Sequence, residues 1–121
     1  MDPEATLERF ALIADISLAE AEKWRSLCEE ACSEIESHLK ESVDIVADYR
    51  RLTTAAASLA FYRYVLYINA SGNTESFTAG ELRIKTDVDS TIKLAYAVWL
   101  DAKHAISDLL EDSDFMFKII V

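Results

Sequence analysis

Residues 47–69 read ADYRRLTTAAASLAFYRYVLYIN, a stretch with neither Gly nor Pro. At 3.6 residues per turn it makes one helix of about six turns. On that winding Leu52, Ala55, Ala56, Leu59 and Leu66 fall on one side, and Ala57, Phe61, Val65 and Ile68 on the other. A helix that is apolar all round is a buried helix, so it is predicted to have other helices on two sides. The small run Ala55-Ala56-Ala57-Ser58 lets a neighbouring helix approach closely. Arg50, Arg51 and Arg63 make the stretch too polar to cross a bilayer.

Before this helix, Asp2-Pro3 opens a short one: Asp2 caps it, and Pro3 takes the first helical position, where its missing N–H costs nothing. Leu7, Phe10, Ala11 and Ala14 form its apolar stripe, and Asp15-Ile16-Ser17 reads as a break. Ser17-Leu-Ala-Glu20 is a capping box, with Ile16 placed to staple onto Ala21. The second helix is expected to run unbroken to about Lys40, burying Trp24, Leu27, Cys28, Ala31, Ile35 and Leu39. Residues 42–44 then connect to the middle helix.

After the middle helix, residues 69–74 (NASGNT) are the clearest loop signal, with Gly72 suited to a left-handed position. Leu82 and Ile84 alternate with Arg83 and Lys85, so residues 75–86 are predicted to hold a small β-hairpin turning at Gly80. A lone hairpin is marginal in water, so it should pack on the helices or on another subunit. Asp87 or Asp89 is expected to cap a last long helix over 90–110. Its core stripe is Ile92, Ala95, Tyr96, Trp99, Ile106 and Leu110, widened by Val98, Ala102, Ala105 and Leu109. Residues 112–121 form a tail rich in apolar side chains (Phe115, Met116, Phe117, Ile119, Ile120, Val121). Such a segment either packs on its own domain or binds another chain. The fold expected is therefore all-α: a small bundle of three long helices and a short N-terminal one, with a hairpin insertion and an extended tail.

The 121 residues make one domain, 1–121, by the usual size of a core. Hydrophobic residues are 51% of the chain, which disfavours disorder. Two Gly and one Pro disfavour a turn-rich all-β fold. With 12 basic against 22 acidic residues the formal net charge is −10. That opposes binding of nucleic acid through a basic face and attraction to anionic lipid, so no membrane partner is expected. Two Cys and no signal peptide fit a reducing compartment.

No residue pattern points to catalysis or to a cofactor. Cys28 and Cys32 lie one helical turn apart, but zinc needs about four ligands and no second Cys pair or His cluster completes the set. Two small buried side chains are the plainer account of them. A carboxylate-bridged di-metal bundle needs Glu-x-x-His on two helices. Ile35 precedes His38 by three, and only Asp101 stands in the matching place before His104. Exposed helix positions suit both histidines better. No Ser, Cys or Lys sits in a nucleophile motif, and there is no Gly-rich phosphate loop. Arg63 among apolar neighbours needs a carboxylate partner if it is buried; otherwise it snorkels past Tyr62 or Tyr67. Tyr62, Tyr64 and Tyr67 suit a core or interface, since the net charge opposes base stacking.

The order of parts resembles the small helical head–tail connector (head-completion or adaptor) proteins of tailed bacteriophages and prophages. The shared features are the capped helix beginning at Ser17, the Arg-Leu-Thr-Thr-Ala-Ala-Ala-Ser-Leu-Ala helix with its aromatic run Phe61-Tyr62-Arg63-Tyr64, and the segment Ser76-Phe77-Thr78-Ala79-Gly80-Glu81-Leu82. The last helix, ending in Leu109-Leu110-Glu111-Asp112, and the tail Phe115-Met116-Phe117 complete the match. The resemblance implies a ring of identical subunits, twelvefold in the virion, at the head–tail interface. The ring docks on the portal protein, offers a surface to a stopper or tail protein, and extends a channel through which DNA passes without sequence-specific binding. Assembly would take place in the host bacterial cytoplasm. Such proteins do no chemistry and work through head-to-tail contacts. On this reading Phe77, Leu82, Ile84, Phe115, Phe117, Ile119 and Val121 are the interface candidates. Two alternatives stand beside it: a small acidic regulatory or inhibitory helical protein that captures a basic partner, and a small enzyme or metal-binding bundle, for which the ligand pattern is missing.

Overall fold

The computed structural model describes residues 1–70 and 88–111. The expected hairpin (75–86), Gly72 and the tail (112–121) lie outside the described residues. Among those residues the protein is all-α, in the order α1 (Pro3–Ala14), α2 (Leu18–Ala21), a 3-10 turn (Glu22–Trp24), α3 (Arg25–Ser37), α4 (Tyr49–Ala70), α5 (Val88–Ala105) and a second 3-10 turn (Ser107–Leu109).

Helix α1 starts and stops where local chemistry dictates. The Asp2 carboxylate accepts from the Glu4 N–H at 2.9 Å, and Pro3 follows at the head of the helix. At the other end Asp15 turns left-handed (φ 60°, ψ 48°), and the N–H of Ile16 closes onto the Ala11 carbonyl at 3.0 Å. Asp tolerates this region better than most residues because its short polar side chain bonds locally. The Ser17 hydroxyl accepts from the Glu20 N–H at 3.1 Å, which is one of the two bonds of the expected capping box. The Glu20 carboxylate pairs forward with Lys23 at 3.2 Å.

The second helix is not continuous to Lys40. Its winding tightens to 3-10 at Glu22–Trp24, and Trp24 itself leaves helical geometry (φ −111°, ψ 18°). The bend accompanies the placement of the Trp24 indole against α4, edge-on to Tyr64 (centroids 4.9 Å apart) and Tyr67 (5.5 Å). Helix α3 then ends at Ser37, because the backbone beyond it is committed elsewhere. Lys40 N–H donates to the Leu109 carbonyl and Glu111 N–H donates to the His38 carbonyl, both at 2.9 Å, around an antiparallel bridge between Leu39 and Leu110. The same pairing stops the last helix early. It ends at Ala105 rather than Leu110, and Leu110 is extended. Asp89 lies inside the first turn of α5 and not at its cap, and Asp87, the other expected cap, lies outside the described residues. The middle helix begins at Tyr49, two residues later than its composition suggests. The Asp44 side chain accepts from the N–H groups of Val46 (3.0 Å) and Ala47 (3.3 Å) and holds them in a turn.

Helix α4 is the hub: α1, α3 and α5 all pack on it. Leu52, Ala55, Ala56, Ala57, Leu59 and Ala60 are each 2% exposed or less, so this part of the helix is buried all round, as its two apolar faces predict. Leu7 and Phe10 of α1, Cys28, Ala31 and Ile35 of α3, and Ala95, Trp99 and Ala102 of α5 complete the core with Ile106. Each fully buried Leu or Phe contributes about 1.5–3 kcal/mol of apolar transfer. Two residues placed in the core stripe of the last helix are exposed: Tyr96 (45%) and Ala105. Among the described residues α5 packs chiefly on α4, so a narrow stripe suffices, and residues on its flanks stay in contact with water.

Candidate functional site

The Cys28 and Cys32 thiols are buried and reduced. The Thr6 hydroxyl donates to the Asp2 carbonyl at 3.0 Å, so the Cys32 thiol donates to the Thr6 oxygen at 3.2 Å. This buried chain of bonds ties α1 to α3. Burial pushes the Cys28 thiol up to about 12, and burial raises Cys32 as well. Burial thus disfavours the thiolate, the reactive form of cysteine, at both positions. Among the described residues no three of His, Cys, Asp and Glu come together as a metal-ligand group. His104 is exposed, whereas His38 is half-buried at the end of α3, where its backbone enters the Leu39–Leu110 pairing.

The arginines divide into two sets. Arg63 finds a carboxylate: its guanidinium donates to Glu34 of α3 at 2.8 Å, with the side chains 19% and 30% exposed. Arg25 reaches Glu4 of α1 at 2.6 Å and also holds Glu22, and these hydrogen bonds raise its already high pKa. Arg51 bonds Asp48 at 2.7 Å, Asp108 at 3.0 Å and the Ala105 carbonyl at 2.7 Å, which fixes the end of α5 against the first turn of α4. The Arg51 bond holds the Asp108 carboxyl below its ordinary range. Arg9 and Arg50 have no ion pair among the described residues; Arg9 donates to the Thr54 hydroxyl at 3.3 Å. They face one groove of about 210 Å³ between α1 and the start of α4.

Aromatic side chains gather at the far end of α4. Tyr64 stands between Phe10 (5.4 Å, 85°) and Trp24, and Tyr62 meets Tyr96 of α5 at 5.3 Å. Burial raises the phenols of Tyr64 and Tyr62. The Trp24 indole N–H is buried without a hydrogen-bond partner among the described residues. These contacts make Tyr62 and Tyr64 packing residues, while Tyr67 is 59% exposed beside Trp24.

The interface candidates Phe77, Leu82, Ile84, Phe115, Phe117, Ile119 and Val121 all lie outside the described residues. The described surface supplies others that periodicity passed over. Leu12 (76% exposed) and Tyr49 (42%) line the α1–α4 groove, Val46 (83%) is exposed in the turn before α4, and Leu94 (63%), Tyr96 and Leu100 lie on the flanks of α5. Leu12 carried a signal, since it is apolar but out of phase with the stripe of α1. An open dish on α3 is lined by Ser26, Glu29, Glu30, Ser33 and Glu34. No described helix is long and apolar enough to cross a membrane. Comparison with protein-family models, with curated proteins and with solved structures returned no match.

Proposed function

We propose that this chain is a structural connector: a subunit of a ring at the head–tail interface of a phage or prophage, working by association and not by catalysis. The observation that carries the proposal is the outer surface of α5. That helix buries Ala95, Trp99 and Ala102 against α4, yet leaves Leu94, Tyr96 and Leu100 exposed. Tyr96 and Leu100, four residues apart, lie side by side on one flank. Large apolar side chains grouped on a helix otherwise bound to one neighbour suit a contact with another copy or with a portal. The resemblance in layout adds the ring, the portal and the stopper or tail protein as partners, the DNA channel through its centre, and the hairpin over 75–86 and the tail as contact elements. The negative charge suits a channel that DNA traverses without adhering, because like charge suppresses phosphate binding.

Light scattering on a sizing column across a concentration series tests this, together with binding to a purified phage portal protein. A discrete large oligomer or a stable portal complex is expected. Failure of both overturns the connector. A second reading has its own observation. Glu29 and Glu30 on the open face of α3 have no ion pair among the described residues, which fits capture of a basic protein partner. A tight one-to-one complex with a basic host protein, and no affinity for a portal, would select it.

A further inference from the structure

We propose that the groove between α1 and the first turn of α4 is the socket for residues 112–117 of a neighbouring copy; this deepens the connector reading and rests on it. Three of the five arginines among the described residues are tied to carboxylates, and the other two, Arg9 and Arg50, converge on this groove. In a chain of net charge −10 that convergence is the notable basic feature of the described surface. Glu8 lines the groove as well, which leaves it with one net positive charge. Beside the two guanidinium groups stand Leu12, 76% exposed, and Tyr49, 42% exposed. The groove thus suits an acidic ligand that also carries large apolar side chains.

Residues 112–117 read Asp-Ser-Asp-Phe-Met-Phe. Asp112 and Asp114 are opposite in sign to Arg9 and Arg50, and Phe115 and Phe117 suit the apolar wall of Leu12 and Tyr49. Carboxylate–guanidinium pairs set register and partner choice, while burial of the aromatic rings supplies most of the affinity. A segment from one copy seated in a groove on the next is a heterologous contact, the kind that closes into a ring when the rotation allows.

Charge exchange in the full-length chain tests the socket. Arg9→Glu with Arg50→Glu forms one variant, and Asp112→Arg with Asp114→Arg the other, both read by light scattering and circular dichroism. The wild type should associate. Each variant alone should lose association at least about tenfold, the equivalent of about 1.4 kcal/mol, with helicity unchanged. An equimolar mixture should recover the wild-type mass, because each variant then presents a matching groove or segment to the other. Leu12→Glu, at an exposed site, should give the same loss by an independent route if the arginine variant folds poorly. A monomeric wild type, an unchanged mass in the groove variants, or a mixture that stays dissociated would each overturn the socket. Portal binding is scored separately: a groove failure with portal binding intact leaves the connector standing, and loss of both removes both.

Discussion

The two halves of α4 differ more than their composition does. Over residues 52–60 the side chains are small or aliphatic, and nearly every one is buried, with α1, α3 and α5 crowding the helix. Over residues 61–69 the helix is as apolar by count, yet Phe61, Tyr62, Tyr64, Leu66 and Ile68 are half-buried and Tyr67 is 59% exposed. Side-chain size separates them. Alanines let three helices close on one axis, whereas rings hold neighbours apart and meet them edge-on, as Tyr64 meets Phe10 and Trp24. Apolar residues on every side of a helix therefore show that neighbours are possible, and the volume of those residues decides how many can be reached.

The strongest test of that contrast compares two leucines one on each side of it. Leu59 is 2% exposed and Leu66 half-buried. Leu59→Ala should cost about 2–5 kcal/mol, as deletion of a fully buried leucine does, measured by urea or guanidinium unfolding. Leu66→Ala should cost less than half as much. Equal losses would mean that the second half is packed as tightly as the first. A somewhat smaller effect tests the small residues directly. Ala56→Leu inserts volume where three helices meet, and should destabilise by about 1–3 kcal/mol through overpacking. A neutral result would show that the neighbours of α4 can yield.

What could be read from the chain follows the range of the interactions involved. The Asp2 cap, the Pro3 start, the turn at Asp15 and the Ser17 cap involve partners within five residues, so sequence spacing reveals them. The early end of α3 does not show, because the cause is backbone pairing of His38 and Lys40 with residues about 70 positions away. The bend at Trp24 escapes for the same reason: no Gly or Pro marks it, and the indole's contacts are with α4. The exposed positions of Tyr96 and Leu100 follow from how few helices α5 meets, which periodicity cannot count. The same limit holds for the surface. Arg9 and Arg50 are 41 residues apart, and only the packing of α1 beside α4 makes them one groove.

The smallest expected effect concerns the Arg63–Glu34 ion pair in the looser half of α4. Arg63 stands between Tyr62 and Tyr64, and its guanidinium reaches Glu34 of α3 at 2.8 Å. Two accounts compete for it. If the pair locks α3 to α4 where the rings pack less closely, breaking either partner should loosen that end of the helix. If the arginine stem already covers Tyr62 or Tyr67, removal of the charge should matter little. A double-mutant cycle with Arg63→Met and Glu34→Gln separates these, since Met retains much of the stem and Gln retains the shape of Glu34. Both side chains keep some contact with water, so solvent screens the attraction. The coupling energy should lie near the upper end of the about 0.2–1 kcal/mol found for exposed pairs, and should shrink as salt is added. A coupling of zero, with Arg63→Met as stable as wild type, would assign Arg63 to packing alone. A coupling several times larger would mean that this half of α4 depends on charge where the other half depends on volume, and the contrast between them would be one of mechanism as well as of tightness.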